Sequence, residues 1–113
     1  MKAVVDEAVP KRFASALRSL GCDVANFPNS WKGLKNGKLL DRLEAAGFDC
    51  LVTSDRNMSF QQNMTGRSIA IVVLPAQLFP KLAPIAAHVA ELVERARPGQ
   101  VLHASPRLDI SSV

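Results

Sequence analysis

Short apolar runs that alternate with segments of helical periodicity constrain the fold of this chain most strongly. "SIAIVVLP" (68–75) is a continuous β-branched run, which is typical of a strand buried on both faces. "KAVV" (2–5) and "FDCLVT" (48–53) have the same character, and "CDVANF" (22–27) and "VLHAS" (101–105) supply two further strands. The sequence therefore predicts five short strands.

Three segments between these strands have the apolar spacing of helices. The first follows Pro10, the second covers about 36–46, and the third is predicted as one long helix over about 80–96. Strands that alternate with helices indicate an α/β domain with a mostly parallel sheet, because parallel neighbours need a crossover connection. We expect these crossovers to be right-handed. The domain is predicted to cover 1–104, with 105–113 as a C-terminal tail.

Length and charge narrow the classes of function. A chain of 113 residues, 48% of them hydrophobic, is large enough for one domain with its own core. The net charge of +4 permits a nucleic-acid partner without requiring one. Five phenylalanines, one tryptophan and no tyrosine do not supply the stacking platform of a typical single-strand binder.

Features related to localisation favour the cytoplasm. Cys22 and Cys50 both lie in apolar, strand-like stretches, which favours buried free thiols over a disulfide or a metal pair. No run approaches the ~20 apolar residues of a membrane span. Met1 and Lys2 lead directly into a strand rather than into the apolar segment of a signal peptide.

Acidic residues follow two of the predicted strands. Asp6 and Glu7 come directly after the first strand, and Asp55 follows the third. If these strands are neighbours, their acids meet at the carboxyl edge of the sheet, where ligands of such sheets bind. Asn57 lies two residues further on, and the second helix begins near Asn36 at the same edge.

Two interpretations of these acids remain open. Clustered carboxylates favour a hard cation, Mg²⁺ or Mn²⁺, which can bind a phosphate oxygen and activate water for phosphodiester hydrolysis. Alternatively, Asp6 and Asp55 only cap the helices that follow them. Asp41 and Glu44 are expected to lie further down the second helix, away from this edge.

Several other polar residues are candidates for substrate contacts near this edge. The basic ones are expected to hold phosphates or to be solvated side chains. Gln62 is expected to bond substrate or to stabilise the local turn, and Thr53 to orient a metal-bound water or to extend its strand. The candidates are Lys32, Lys35, Lys38, Arg56, Thr53 and Gln62.

Three stretches together resemble a known family. "VVDEAVPKRFASALRSLGCDV", "GLKNGKLLDRLEAAGFDCLVTSDRNMSFQQN" and "RSIAIVVLP" are similar to the small PIN-like proteins of the DUF5615 family, which are related to VapC-type toxin ribonucleases. The resemblance covers residues 2–104 and rests on the order of its motifs. It implies a three-layer α/β/α sandwich and a Mg²⁺- or Mn²⁺-dependent nuclease site.

Carried over by position, the resemblance implies that Asp6, Glu7 and Asp55 are the acidic residues of this site. Asn36 and Asn57 are in positions where many relatives carry aspartate. An asparagine oxygen can coordinate a metal, but it adds no negative charge and cannot act as a general base. The resemblance thus leads us to expect a ribonuclease that acts on RNA. An antitoxin-like protein is a further candidate partner, and a homodimer is the default assembly for a small α/β domain.

Two other classes of protein compete with this expectation. A receiver domain also carries an acidic pair after strand one and an aspartate after strand three, but this chain has "LPAQ" after strand four and no lysine in "VLHASPR". A catalytically degenerate PIN-like module that binds a protein partner is favoured by the two asparagines. Fold alone does not exclude this second alternative.

Overall fold

Five parallel strands form the centre of the molecule. The computed structural model describes residues 2–34, 36–55 and 64–105. The sheet has the order β2-β1-β3-β4-β5, and every pair of neighbours is parallel. The strands are β1 (Lys2–Val5), β2 (Asp23–Ala25), β3 (Cys50–Thr53), β4 (Ala70–Val73) and β5 (Val101–His103).

Four α-helices connect these strands within the described part of the chain. They are α1 (Lys11–Ser19), α2 (Asn36–Ala45), α3 (Phe79–Leu82) and α4 (Ala86–Arg95). The prediction of one long third helix was wrong, since a 3-10 segment, Ala83–Ile85, separates α3 from α4. The physical reason is Pro84, which has no N–H to donate and whose ring clashes with the carbonyl of the preceding turn.

The helices cover both faces of the sheet and produce three layers. Phe13 and Leu17 of α1 share one buried cluster with Val89 and Val93 of α4, and we call this side the α1 face. On the opposite side, which we call the α2 face, three leucines of α2 pack against the sheet. All residues of β3 and β4 are buried, as the apolar runs predict. The fold is therefore a three-layer α/β/α sandwich.

Two crossovers on the α1 face have opposite hands. The connection from β1 to β2 runs through α1, and the connection from β4 to β5 runs through α3 and α4. The two connections cross the same face but move in opposite directions along the sheet. The expectation of right-handed crossovers is thus wrong for one of them. As a result, the loops after β1 and β4 rise on the same face, on either side of the end of β3.

The two cysteines have the environment that the sequence predicts. Cys22 and Cys50 are buried and unpaired, as predicted. Burial, with a smaller effect of the Asp49 charge, raises the pKa of the Cys50 thiol to about 12. Among the described residues, no helix is long and apolar enough to cross a membrane.

Candidate functional site

Asp6 is held at the carboxyl edge by the hydrogen-bond ladder between β1 and β3. Val5 pairs with Val52, and the Asp6 backbone N–H donates to the Val52 carbonyl at 2.8 Å. The ladder therefore extends one residue beyond β1 and places Asp6 beside Thr53. The first and third strands are neighbours, which meets the condition for their acids to share one edge.

Both carboxylate oxygens of Asp6 accept hydrogen bonds from neutral donors. The Glu7 backbone N–H donates to Oδ1 at 2.8 Å, and the Thr53 hydroxyl donates to Oδ2 at 2.8 Å. Asp6 is half-buried, and Thr53 is completely buried. These bonds fix the carboxylate in one orientation at the end of β1.

Thr53 also connects this carboxylate to the backbone of Asp55. The Asp55 backbone N–H donates to Thr53 Oγ1 at 3.0 Å, while Thr53 gives its own proton to Asp6. Asp55 itself is exposed. One buried hydroxyl therefore joins the two strand ends whose acids the sequence singles out.

An open cleft lies over the end of β3. Its volume is about 360 Å³. The Ser54 hydroxyl donates to the Ala76 carbonyl at 3.0 Å and ties the end of β3 to the loop after β4. The lining residues come from the loop after β1, the end of β3 and the loop after β4, and they are Ala8, Ser54, Asp55, Pro75, Ala76 and Gln77.

Sequence reasoning missed the contribution of the loop after β4 to this cleft. Pro75, Ala76 and Gln77 follow a predicted buried strand at the same sheet edge as Asp55. That position was the available signal. It was weak, because none of these three side chains is acidic, basic or nucleophilic.

Glu7, Lys32 and Lys38 are three further predicted site residues whose side chains the structure describes. Glu7 is exposed and adjacent to Asp6, and Lys32 is exposed in the turn after a 3-10 segment, Asn29–Trp31. No described contact joins Lys32 to Asp6 or Thr53. Lys38 is exposed near the start of α2.

Asn36 is the first residue of α2, and its side chain lies outside the described part. Lys35, Arg56, Asn57 and Gln62 also lie outside the described residues, as do residues 106–113 of the predicted tail.

The acids of α2 lie away from the carboxyl edge, as expected from their distance along the helix, and are near the amino ends of the strands, which we call the amino edge. Arg67 Nη1 is 2.8 Å from Asp41 Oδ1 and 2.6 Å from Glu44 Oε1. Glu44 Oε2 also accepts from the Ser68 N–H at 2.7 Å and the Ser68 hydroxyl at 3.0 Å. Burial opposes ionisation of Glu44, but the bonds from Ser68 and Arg67 outweigh it and hold the pKa of the carboxyl below its usual value.

The donor chemistry at the carboxyl edge fits a hard divalent cation. Within the described residues, no group of three or more histidine, cysteine, aspartate and glutamate side chains is placed to hold a metal. Asp6 and Asp55 provide carboxylate oxygens at neighbouring strand ends, and Mg²⁺ is commonly bound by one or two carboxylates with water completing its shell. These two residues therefore match Mg²⁺ or Mn²⁺ better than a metal that prefers histidine or thiolate.

Comparison of the chain with protein-family models, with curated proteins and with solved structures finds no match.

Proposed function

We propose that this protein is a metal-dependent phosphodiesterase that hydrolyses RNA at the carboxyl edge of its sheet. The observation that carries the proposal is the Thr53 hydroxyl, which joins Asp6 to the backbone of Asp55 beside an open cleft. Two acids linked in this way, at adjacent strand ends, supply the ligands that Mg²⁺ or Mn²⁺ needs. The choice of RNA rests on the resemblance to PIN-like ribonucleases.

Asp6 and Asp55 are the principal ligands in this proposal, and Glu7 is a secondary one. Asn36 and Asn57 are assigned as neutral ligands or substrate contacts. A divalent cation bound there supplies a positive charge for the scissile phosphate and lowers the pKa of an attacking water. The cleft is open rather than enclosed, which suits a segment of a polymer.

Thr53 acts as a positioning residue in this site. A hydroxyl has a single proton, and that of Thr53 is donated to Asp6. The Thr53 oxygen in turn accepts the N–H of Asp55. With its proton committed and its side chain completely buried, Thr53 orients the Asp6 carboxylate and is not a candidate nucleophile.

The first experiment incubates the purified protein with mixed RNA substrates in Mn²⁺, Mg²⁺ and EDTA. An Asp55→Asn variant, prepared in parallel, should lose at least ~100-fold in cleavage rate, because loss of a ligand costs more than loss of the groups that orient it. Calorimetric titration with Mn²⁺ should show weaker binding in the same variant. The variant should keep its stability, because Asp55 is exposed.

An Asp23→Asn variant provides the matched control. Asp23 is also exposed, but it is the first residue of β2 and therefore lies at the amino edge of the sheet. This variant should cleave like the unchanged protein. Cleavage that survives in Asp55→Asn would reveal a contaminating ribonuclease and contradict the proposal. Absence of cleavage by the folded unchanged protein would favour the degenerate module that binds a protein partner.

A further inference from the structure

An arginine and an aromatic ring form a cation–π pair, and each is close in sequence to a residue that lines the cleft. The guanidinium carbon of Arg12 lies 4.3 Å from the centroid of the Phe79 ring. Arg12 is in the first turn of α1, four residues after Ala8, and Phe79 begins α3, two residues after Gln77. The pair therefore connects α1 and α3, the two helices that come directly after loops lining the cleft.

The guanidinium of Arg12 keeps its donors available. Arg12 is exposed, and it makes no ion pair or side-chain hydrogen bond with any described residue. The contact with the ring uses no hydrogen bond of the guanidinium, so its N–H donors remain for another partner. By contrast, Arg67 at the amino edge already binds two acids of this chain.

An arginine supported in this way is suited to bind phosphate. The planar guanidinium offers paired donors to two oxygens of one phosphate. Because the ring beneath it already restricts the side chain, less conformational freedom is lost on binding. No described acid is bound to it, so it has no internal anion to release first.

We propose that Arg12, supported by Phe79, binds a backbone phosphate of the nucleic-acid strand that enters the cleft. This inference rests on the proposed function, because it assigns a substrate contact beside the same site. It adds a residue on α1 that neither the acidic motif nor the predicted basic candidates include. It also predicts that Arg12 contributes to binding of the strand without any metal.

Fluorescence anisotropy with a labelled single-stranded RNA oligonucleotide in EDTA tests this contact, since EDTA prevents metal-dependent cleavage. Arg12→Ala should weaken binding by about tenfold, as expected for loss of a charge-assisted contact. It should also reduce the slope of log affinity against log salt by about 0.7, the change for one phosphate contact to a single strand. Arg12→Lys should recover part of the affinity, because lysine keeps the charge but not the paired donors.

Arg97→Ala is the matched control. Arg97 is likewise exposed, but it precedes β5 at the amino edge. The substitution removes the same charge as Arg12→Ala. The control should bind RNA within twofold of the unchanged protein. An equal loss in Arg97→Ala and Arg12→Ala, no loss in Arg12→Ala, or no binding by the unchanged protein would overturn the inference. A selective Arg12 effect without cleavage by the unchanged protein would instead support the contact and reject the hydrolase.

Discussion

The two edges of the sheet use acidic residues in different ways. At the amino edge, Glu44 accepts hydrogen bonds from Arg67 and from the Ser68 backbone and hydroxyl. At the carboxyl edge, the described residues that donate to the Asp6 carboxylate are the Glu7 backbone N–H and the Thr53 hydroxyl. Both carboxylates are oriented by the fold, but only Glu44 is paired with a cation of the described chain.

This difference separates an acid that is paired with a cation of the fold, Glu44, from one that has no described cation beside it, Asp6. The charge of Glu44 is compensated by Arg67, whose side chain is only 18% exposed, so the pair fastens α2 to the start of β4. The charge of Asp6 is oriented by neutral donors and is not compensated by a described cation. Changes at the amino edge should therefore affect stability, and changes at the carboxyl edge should affect ligand binding.

The largest expected effect on stability belongs to Glu44. Glu44→Ala should lower the free energy of unfolding by about 2–4 kcal/mol, because it leaves the mostly buried Arg67 and the Ser68 N–H without their shared acceptor. Urea denaturation measures this loss. Mn²⁺ binding should be unchanged, since the residue lies at the edge opposite Asp6.

Asp41→Ala is the control for this prediction. Asp41 bonds the same arginine, but its side chain is 71% exposed, so the loss should stay below about 1 kcal/mol. If the two variants lose equal stability, the prediction that Glu44 stabilises the fold more than Asp41 is wrong.

A smaller effect on stability, combined with an effect on the metal, is expected for Thr53. Thr53→Val keeps the shape of this buried side chain but removes the hydroxyl between Asp6 and Asp55. We expect a loss of about 1–2 kcal/mol in unfolding free energy. Calorimetry should show Mn²⁺ binding at least about tenfold weaker, because Asp6 loses the group that orients it.

Thr53→Ser retains the hydroxyl and should keep most of the Mn²⁺ affinity. Equal Mn²⁺ affinity in Thr53→Val and the unchanged protein would show that the bond between Thr53 and Asp6 is purely structural. The proposed division between the two edges would then lose its main support.

The smallest expected effect is a dependence of stability on acid pH at the amino edge. The folded state lowers the pKa of Glu44 from its usual value of 4.5, so the unfolded state takes up a proton first as pH falls. The stability that Glu44 contributes is therefore complete above about pH 6 and declines as pH falls through 4.5 toward the folded-state pKa.

Urea denaturation of Glu44→Gln at several pH values measures this contribution. The stability difference from the unchanged protein should be constant near neutral pH and should shrink in acid. A difference that grows in acid would contradict the assigned direction of the Glu44 pKa.

Much of the architecture could be predicted from local patterns. The apolar runs located the strands, and the spacing of apolar residues located α1 and α2. The continuous third helix was predicted incorrectly because the apolar spacing continues through Pro84, whose backbone cannot. That signal was present in the sequence and was outweighed by periodicity.

The candidate site was only partly predictable. Placing Asp6 and Asp55 at one edge required parallel strands and the adjacency of β1 and β3, which the structure shows. The roles of Thr53 as the link and of Arg12 as the partner of Phe79 depend on distances between segments far apart in the chain. No local pattern contains those distances.

The sequence by itself determined which segments become strands and helices, which faces are apolar and which acids follow the strands, because these features depend on neighbouring residues and their period. Only the tertiary structure decided the strand order, the opposite hands of the two crossovers, the cleft over β3 and the pairing of Glu44 with Arg67. The physical reason is that these arrangements depend on how all the layers pack together, and many pairings of distant segments satisfy the same local pattern.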